Sequence, residues 1–491
     1  MERTRIAIIG AGFSGLGMAV RLRQEGITDF VVLERADDIG GTWRDNSYPG
    51  CAVDVQSHLY SLSFAPNPDW SAVYAPQGEL WAYLRRLVDE HGLRENLRLG
   101  HEVLSGDWDD ATQRWRLRTS GGDVEAQVLL SGMGPLSNPI PPQIPGLDTF
   151  AGTVFHSARW NHDHDLTGRR VAAIGTGSSA AQFVPGIQPH VAHLSLFQRT
   201  PGWVIPRMNR PLTRLERALF RRFPALQRLV RRRQFVYREL LGVLLRSPRW
   251  SFGVEALAKA HLRRQVKDPV LRDKLTPRFR AGCKRMIVAD DYYPAVAQPN
   301  VELVTSAVAE VVPEGIRTAD GRLHEVDTLI LGTGFEILPV ADPLRGRDGV
   351  TLAELWRERR AAYLGTAVSG FPNYFMLAGP HSATGHTSAL LYAEAQMEYA
   401  LKAIRHLERT GVGSIDVRPE AQQRFVSHVN ERLGSTVWIV GGCRSWYLDA
   451  DGGSSVLWPG TTWEFQRLLS RFDPADYETA SSATRREVAA A

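Results

Sequence analysis

Two glycine-rich turns are the features of this chain whose residue types and spacing point most directly to chemistry: Gly10-Ala11-Gly12-Phe13-Ser14-Gly15 and Gly175-Thr176-Gly177-Ser178-Ser179-Ala180. In such a turn the first glycine permits a tight bend, and the second lets a pyrophosphate approach the backbone. The third position must be small so that helix and strand pack closely. Ala180 fills that third position in the second turn, a replacement the pattern tolerates. The charged residue that follows differs between the two. Glu34 stands 24 residues after Gly10, near the offset of about 20 expected for a carboxylate that binds ribose hydroxyls. Arg199, followed by Thr200, stands 24 residues after Gly175. A carboxylate would repel a 2′-phosphate, whereas a guanidinium pairs with it bidentately. The first turn therefore reads as an FAD or NAD site and the second as an NADP site. Two such sites in one chain imply hydride transfer between two cofactors held face to face. The plainer alternatives are a glycine turn with no ligand and an Arg199 that only caps a strand.

The elements that must hold these turns are visible around them. Arg5–Ile9 is a β-branched run of the sort that makes a buried parallel strand. A helical pattern follows Gly15, and a short strand, Phe30–Leu33, ends at Glu34. The second turn repeats the plan, with strand-like Arg170–Ile174, a helical AAQFVPGI and a strand at Leu194–Phe197. The expected fold class is α/β, with two Rossmann-like dinucleotide-binding domains, one for FAD and one for NADP, and a helical insertion. The expected division is a first FAD segment at 1–140 and a first NADP segment at 150–205. A helical insertion at 206–284, a second NADP segment at 285–369, a second FAD segment at 370–472 and a frayed tail at 473–491 follow. The active site belongs in the cleft between the two domains.

Composition narrows the class. With 491 residues, 43% of them hydrophobic, the chain can bury a large core. A charged fraction of 23% argues against wholesale disorder, and a net charge of +5 is not that of a dedicated nucleic-acid binder. The three cysteines, Cys51, Cys283 and Cys443, are too far apart for a metal knuckle, so the expectation is isolated thiols in a reduced cytoplasm and no metal site. No apolar run approaches the roughly 20 residues that span a bilayer, and no secretory signal is visible.

Charge is unevenly placed. Residues 207–238 hold eleven arginines against one acid, Glu216, a net +10 that leaves the rest of the chain at −5. Apolar and basic residues alternate there with helical spacing, and Pro224 is expected to divide two helices. One reading, implied by the family resemblance set out below, is a helical cover over the site. The other is a basic amphipathic surface that meets an anionic membrane or an acidic partner.

Between the two turns lies Phe150-Ala151-Gly152-Thr153-Val154-Phe155-His156-Ser157-Ala158-Arg159-Trp160-Asn161. It resembles the FxGxxxHxxxW fingerprint of the Baeyer–Villiger monooxygenases, a branch of the class B flavoprotein monooxygenases. Phe150, Gly152, His156 and Trp160 match, and Asn161 stands where that family usually has Pro or Asp. The resemblance extends in order through Gly40-Gly41-Thr42-Trp43, Tyr48–Asp54, Cys283-Lys284-Arg285, Gly332-Thr333-Gly334-Phe335, Gly379-Pro380 with His381–Ser388, and Ser445-Trp446-Tyr447-Leu448. The sibling class, which oxygenates soft nitrogen and sulfur, typically has Asn where this chain has Ser178 and lacks the equivalent of Trp160.

The resemblance implies that NADPH reduces FAD, that a C4a-peroxyflavin forms with O2, and that one oxygen atom is inserted next to a ketone carbonyl to give an ester or lactone. It assigns Arg285 to stabilising the anionic reacting species, since a guanidinium stays protonated, and Asp54 to holding that fork. Lys284 becomes a second contact to the NADP 2′-phosphate, facing away from Arg285 because neighbours on an extended segment point opposite ways. Trp446 belongs near nicotinamide and substrate, with core packing as its alternative. His156 reads as a structural or hinge residue rather than a base. N- or S-oxygenation is the competing activity.

Overall fold

The computed structural model describes residues 1–337 and 344–481. Residues 482–491 of the expected tail, and 338–343 of the second NADP segment, lie outside the described residues. Arg5–Ile9 belongs to a strand, Glu2–Ile9, at the centre of an eight-stranded sheet. It pairs in parallel with Phe30–Glu34 on one side and Val124–Ser131 on the other. Across the sheet the order is Leu344–Arg345, Val103–Asp109, Arg114–Thr119, Val124–Ser131, Glu2–Ile9, Phe30–Glu34 and Leu97–Leu99. Tyr374–Met376 adds in parallel beside the C-terminal half of Val124–Ser131. The helices Phe13–Gln24 and Ala389–Thr410 cover one face, and Trp108, Trp115, Phe371 and Tyr374 fill the other. Both faces are therefore buried, which explains the unbroken apolar strand.

A second, five-stranded sheet is wholly parallel, in the order Val301–Val304, His193–Phe197, Arg170–Ile174, Thr328–Leu331 and Thr153–His156. Four helices, Arg214–Arg222, Pro224–Arg246, Ser251–Gln265 and Pro269–Lys274, form the insertion. Pro224 opens the second of them, where its missing N–H leaves no hydrogen bond unmade. No described helix is long and apolar enough to cross a membrane.

The chain passes between the two sheets on adjacent tracks. Ile140 N donates to Gly334 O at 3.1 Å, Thr333 Oγ1 to Ile140 O at 2.9 Å, and Glu336 N to Asn138 O at 2.9 Å. The outgoing and returning connections are thus hydrogen-bonded to one another.

Two expectations are corrected. Cys283 and Cys443 are not isolated thiols: they form a disulfide, with Cα atoms 6.1 Å apart across 160 residues of sequence. Sequence spacing carries no information about a pairing that tertiary folding creates. Cys51 alone is free, and burial pushes its thiol up to about 12. The tail is not frayed from Asp473, because Tyr477–Ala480 pairs antiparallel with Ser414–Val417 and Tyr477 is buried against Phe472. Cys443→Ser is expected to lower stability by about 2–4 kcal/mol, the usual worth of such a link. Thermal unfolding checks this. Dithiothreitol should lower the midpoint of the parent protein by a similar amount and leave that of the variant unchanged.

Candidate active site

The first turn is built around close backbone approaches. Gly10 has φ +92°, and a Cβ on Gly15 would lie 1.8 Å from Gly10 O, so Gly15 serves helix–strand packing rather than the ligand. Gly12 caps Phe13–Gln24 with no side-chain hydrogen bond, which leaves the first N–H groups of that helix facing the cleft. Gly41 lies against Gly12, with a Cβ there reaching Gly12 Cα at 3.3 Å. Thr42 and Trp43 continue that wall, and Gly379 closes it from the C-terminal part of the chain. Glu34 is buried at the end of its strand. It accepts from Ala11 N at 2.8 Å, Ala36 N at 3.1 Å and Arg44 Nη1 at 3.0 Å. Pro380 lies outside the wall of the cleft.

The second turn is looser toward the ligand side. Gly175 has φ +108° and packs on Gly332 O, while nothing lies within 4 Å of a Cβ on Gly177. Gly177 caps Ser178–Ile187, and Ser178 and Ser179 face the cleft while Ala180 is buried in the core. Arg199, Thr200 and Lys284 converge beyond the next strand. Lys284 Nζ donates to Thr200 Oγ1 at 3.3 Å, and burial, then the charge of Arg199, lowers the Lys284 pKa. Neither cation has a carboxylate partner among the described residues. Two cations held together without an acid suit a phosphate. An open helix N-terminus beside them suits a pyrophosphate.

Between the turns lies a cleft of about 1330 Å³, lined from both sheets. In it Arg285 meets Asp54 through a bidentate fork. Nε donates to Oδ2 at 3.0 Å, and Nη2 donates to Oδ1 at 2.9 Å and to Oδ2 at 2.8 Å. Burial alone would raise the Asp54 pKa, but Arg285, and then Arg238, hold it below the usual carboxylate range. Asp54 in turn raises Arg285 further. Lys284 and Arg285 do diverge, one toward Thr200 and the other toward Asp54. Trp446 lines the cleft and is half exposed, with its ring edge-on to Tyr447 at 4.3 Å. Burial pushes the Tyr447 hydroxyl up to about 12, so it stands as a neutral phenol beside Arg285.

The fingerprint residues lie outside the cleft wall. A Cβ on Gly152 would strike Asp327 O at 2.4 Å, and Phe150 packs in the small core beneath the second sheet. His156 ends its strand, accepts from Ala158 N at 3.1 Å and meets Phe335 edge-on at 5.7 Å. Burial lowers its pKa. It therefore abuts the paired connections between the sheets. Trp160 wedges between Phe155 and Phe183.

Three contributors had no signal of their own in the sequence. Gln182, on the helix after the second turn, donates Nε2 to Ala52 O at 2.9 Å and accepts from Tyr48 Oη at 3.1 Å and Ala52 N at 3.3 Å. It ties that helix to the loop bearing Asp54. Arg238, in the basic stretch, is buried and donates to Gln56 Oε1 at 2.9 Å and Asp54 O at 3.3 Å. Arg207 donates to Val53 O at 3.0 Å. In the sequence both arginines fall within the basic stretch 207–238, and nothing local marks either as a contact to the Asp54 loop.

The flavin-binding monooxygenase-like family model matches residues 3–337. A Baeyer–Villiger monooxygenase of Streptomyces coelicolor is 50% identical over 98% of this chain and 94% of its own length. One of Pseudomonas aeruginosa is 44% identical, over 97% and 92%. The closed crystal structure of cyclohexanone monooxygenase superposes with a TM-score of 0.89 at 29% identity, covering 98% of this chain and all of that one. An oxidised steroid monooxygenase bound to NADP gives 0.87 at 30% identity with the same coverage. The chain belongs to the flavin-binding monooxygenase-like family and, within it, to the Baeyer–Villiger monooxygenases.

Proposed function

We propose that this enzyme consumes a ketone, O2, NADPH and a proton and yields an ester or lactone, NADP⁺ and water. FAD belongs on the turn at Gly10–Gly15 with Glu34, and NADPH on the turn at Gly175–Ala180 with Arg199, Thr200 and Lys284. When bound, FAD would supply a hydride acceptor for NADPH and the activation of dioxygen. The chain supplies position and charge. Asp54 occupies Nε and Nη2 of Arg285, and Nη1, which carries two N–H groups, donates one weakly to Thr384 O at 3.5 Å in the cleft wall, so its other N–H is not taken by Asp54. That N–H is the donor for negative charge developing on the substrate oxygen, and the cation that supplies it does not titrate at any working pH. Gln182, bonded to Tyr48 and Ala52, and Arg238, bonded to Gln56 and Asp54 O, hold the Asp54 loop and so fix the fork. Trp446 forms the substrate wall. His156 and Trp160 act by positioning.

The observation that carries this reading is the Arg285–Asp54 fork in the cleft between two dinucleotide cradles. The test is turnover of a panel of cyclic, linear and aryl ketones under ¹⁸O2. One labelled atom per ester, with equimolar NADPH consumption, is expected. NADPH oxidation that yields only hydrogen peroxide, or label that reaches sulfides and amines but no ketone, would refute it.

A further inference from the structure

The insertion carries an outward face that the oxygenation chemistry does not use. Along Pro224–Arg246 the buried residues Gln227, Arg238, Glu239, Gly242 and Leu245 face the protein. On the opposite side, Leu226, Leu229, Arg233, Tyr237, Leu240 and Leu244 recur at intervals of three and four, all exposed, with Leu229 and Leu240 each 62% accessible. This spacing makes one apolar stripe, interrupted only by Arg233, along five turns of helix. The helix ends at Arg246, and Trp250 and Phe252, just beyond, are 58% and 61% accessible. An apolar stripe of this length is unusual on a surface that meets only water.

Charge identifies what covers it. Arg221, Arg210 and Arg231 of the basic stretch are spent on Asp69, Glu216 and Glu394. Arg222, Arg228, Arg232 and Arg233 are exposed and form no ion pair among the described residues. A second copy of the chain would bring two such cationic faces together, with Arg233 inside both stripes. A bilayer with anionic headgroups satisfies both features at once: acyl chains take the leucines and the guanidinium groups reach phosphates. Exposed Trp and Tyr sit well at that boundary, apolar in the ring and polar at one edge.

We propose that the helix Pro224–Arg246 is a surface-lying anchor by which this enzyme docks on anionic phospholipid membranes. Docking does not depend on the oxygenation reading, since the stripe lies outside the cleft and binding is measured without turnover.

The experiment is co-sedimentation of the flavin-loaded protein with vesicles of phosphatidylglycerol and phosphatidylcholine, and of phosphatidylcholine alone. Binding to the anionic vesicles, weakened by salt and at least tenfold poorer on the neutral ones, is expected. Arg228→Gln, Arg232→Gln and Arg233→Gln together should weaken it on the order of a hundredfold, at about fivefold per arginine near an anionic surface. Leu240→Asp with Leu244→Asp should abolish it. Flavin content and NADPH oxidation should match the parent in both variants, which shows that the fold is intact. Absence of binding to the anionic vesicles would overturn the proposal, as would undiminished binding of the leucine variant. A dimer in light scattering that both variants break, without vesicle binding, would overturn it in favour of self-association. Capture only by a polyanionic protein would overturn it in favour of an acidic partner.

Discussion

Arg285→Ala is expected to cut ester formation by roughly two to three orders of magnitude, the cost of removing one preorganised donor from a developing oxyanion. Reduction of the flavin by NADPH should stay within about twofold, because the role proposed for Arg285 is toward the substrate oxygen and not toward the hydride. The variant removes the larger of the two charges that hold the Asp54 pKa down and leaves only that of Arg238 against burial, so that pKa should rise. Arg285→Lys keeps a cation but replaces the planar fork with donors on a single nitrogen, so it should recover only part of the loss. Sulfide oxygenation needs no attack on a carbonyl, and it should fall much less than ketone oxygenation. The check is parallel measurement of anaerobic flavin reduction, ester yield and sulfoxide yield. Ester formation within tenfold of the parent would remove the role given to Arg285.

Arg199→Ala and Lys284→Ala are each expected to raise the NADPH KM by roughly ten- to a hundredfold, in line with about 1.5–3 kcal/mol for a hydrogen bond to a charged group. The KM for NADH, which has no 2′-phosphate, should change little. The two cations sit together with no carboxylate partner among the described residues, and burial, then the charge of Arg199, already lowers the Lys284 pKa. A depressed lysine loses its proton earlier as pH rises. NADPH affinity should therefore fall at alkaline pH below the ordinary lysine value, and Lys284→Ala should flatten that limb. Steady-state kinetics with both nucleotides between neutral and alkaline pH measures this. An equal rise in both KM values would mean that the cluster shapes the fold rather than reading the phosphate.

What was legible in the sequence was local or was carried by a family pattern. The glycine turns, Glu34 and Arg199 are read from spacing, because each turn and its strand are contiguous and their backbone constraints act over a few residues. Asp54 and Arg285 are 231 residues apart, and as a lone acid and a lone arginine neither has a local signal. Their pairing was expected only because the segments around them resemble known ones. Gln182 bonds across 130 residues and Arg238 across 182. Nothing in their neighbourhoods separates a buried strut from a polar surface side chain. The Cys283–Cys443 link and the strand Tyr477–Ala480 escaped for the same reason, since each depends on a partner that only the folded chain brings near.

The pairing of Tyr374–Met376 with Val124–Ser131 sets an order of assembly. A ribosome delivers Val124–Ser131 roughly 240 residues before the strand that completes its C-terminal half. At about 5–20 residues per second, that edge waits on the order of 10–50 s with its N–H and C=O groups unpaired. Meanwhile the five-stranded sheet emerges whole, from Thr153 to Leu331, and can close on itself first. The nascent chain then carries a finished second half and an open first half, whose apolar edge is a ready landing place for a chaperone or for another unfinished chain.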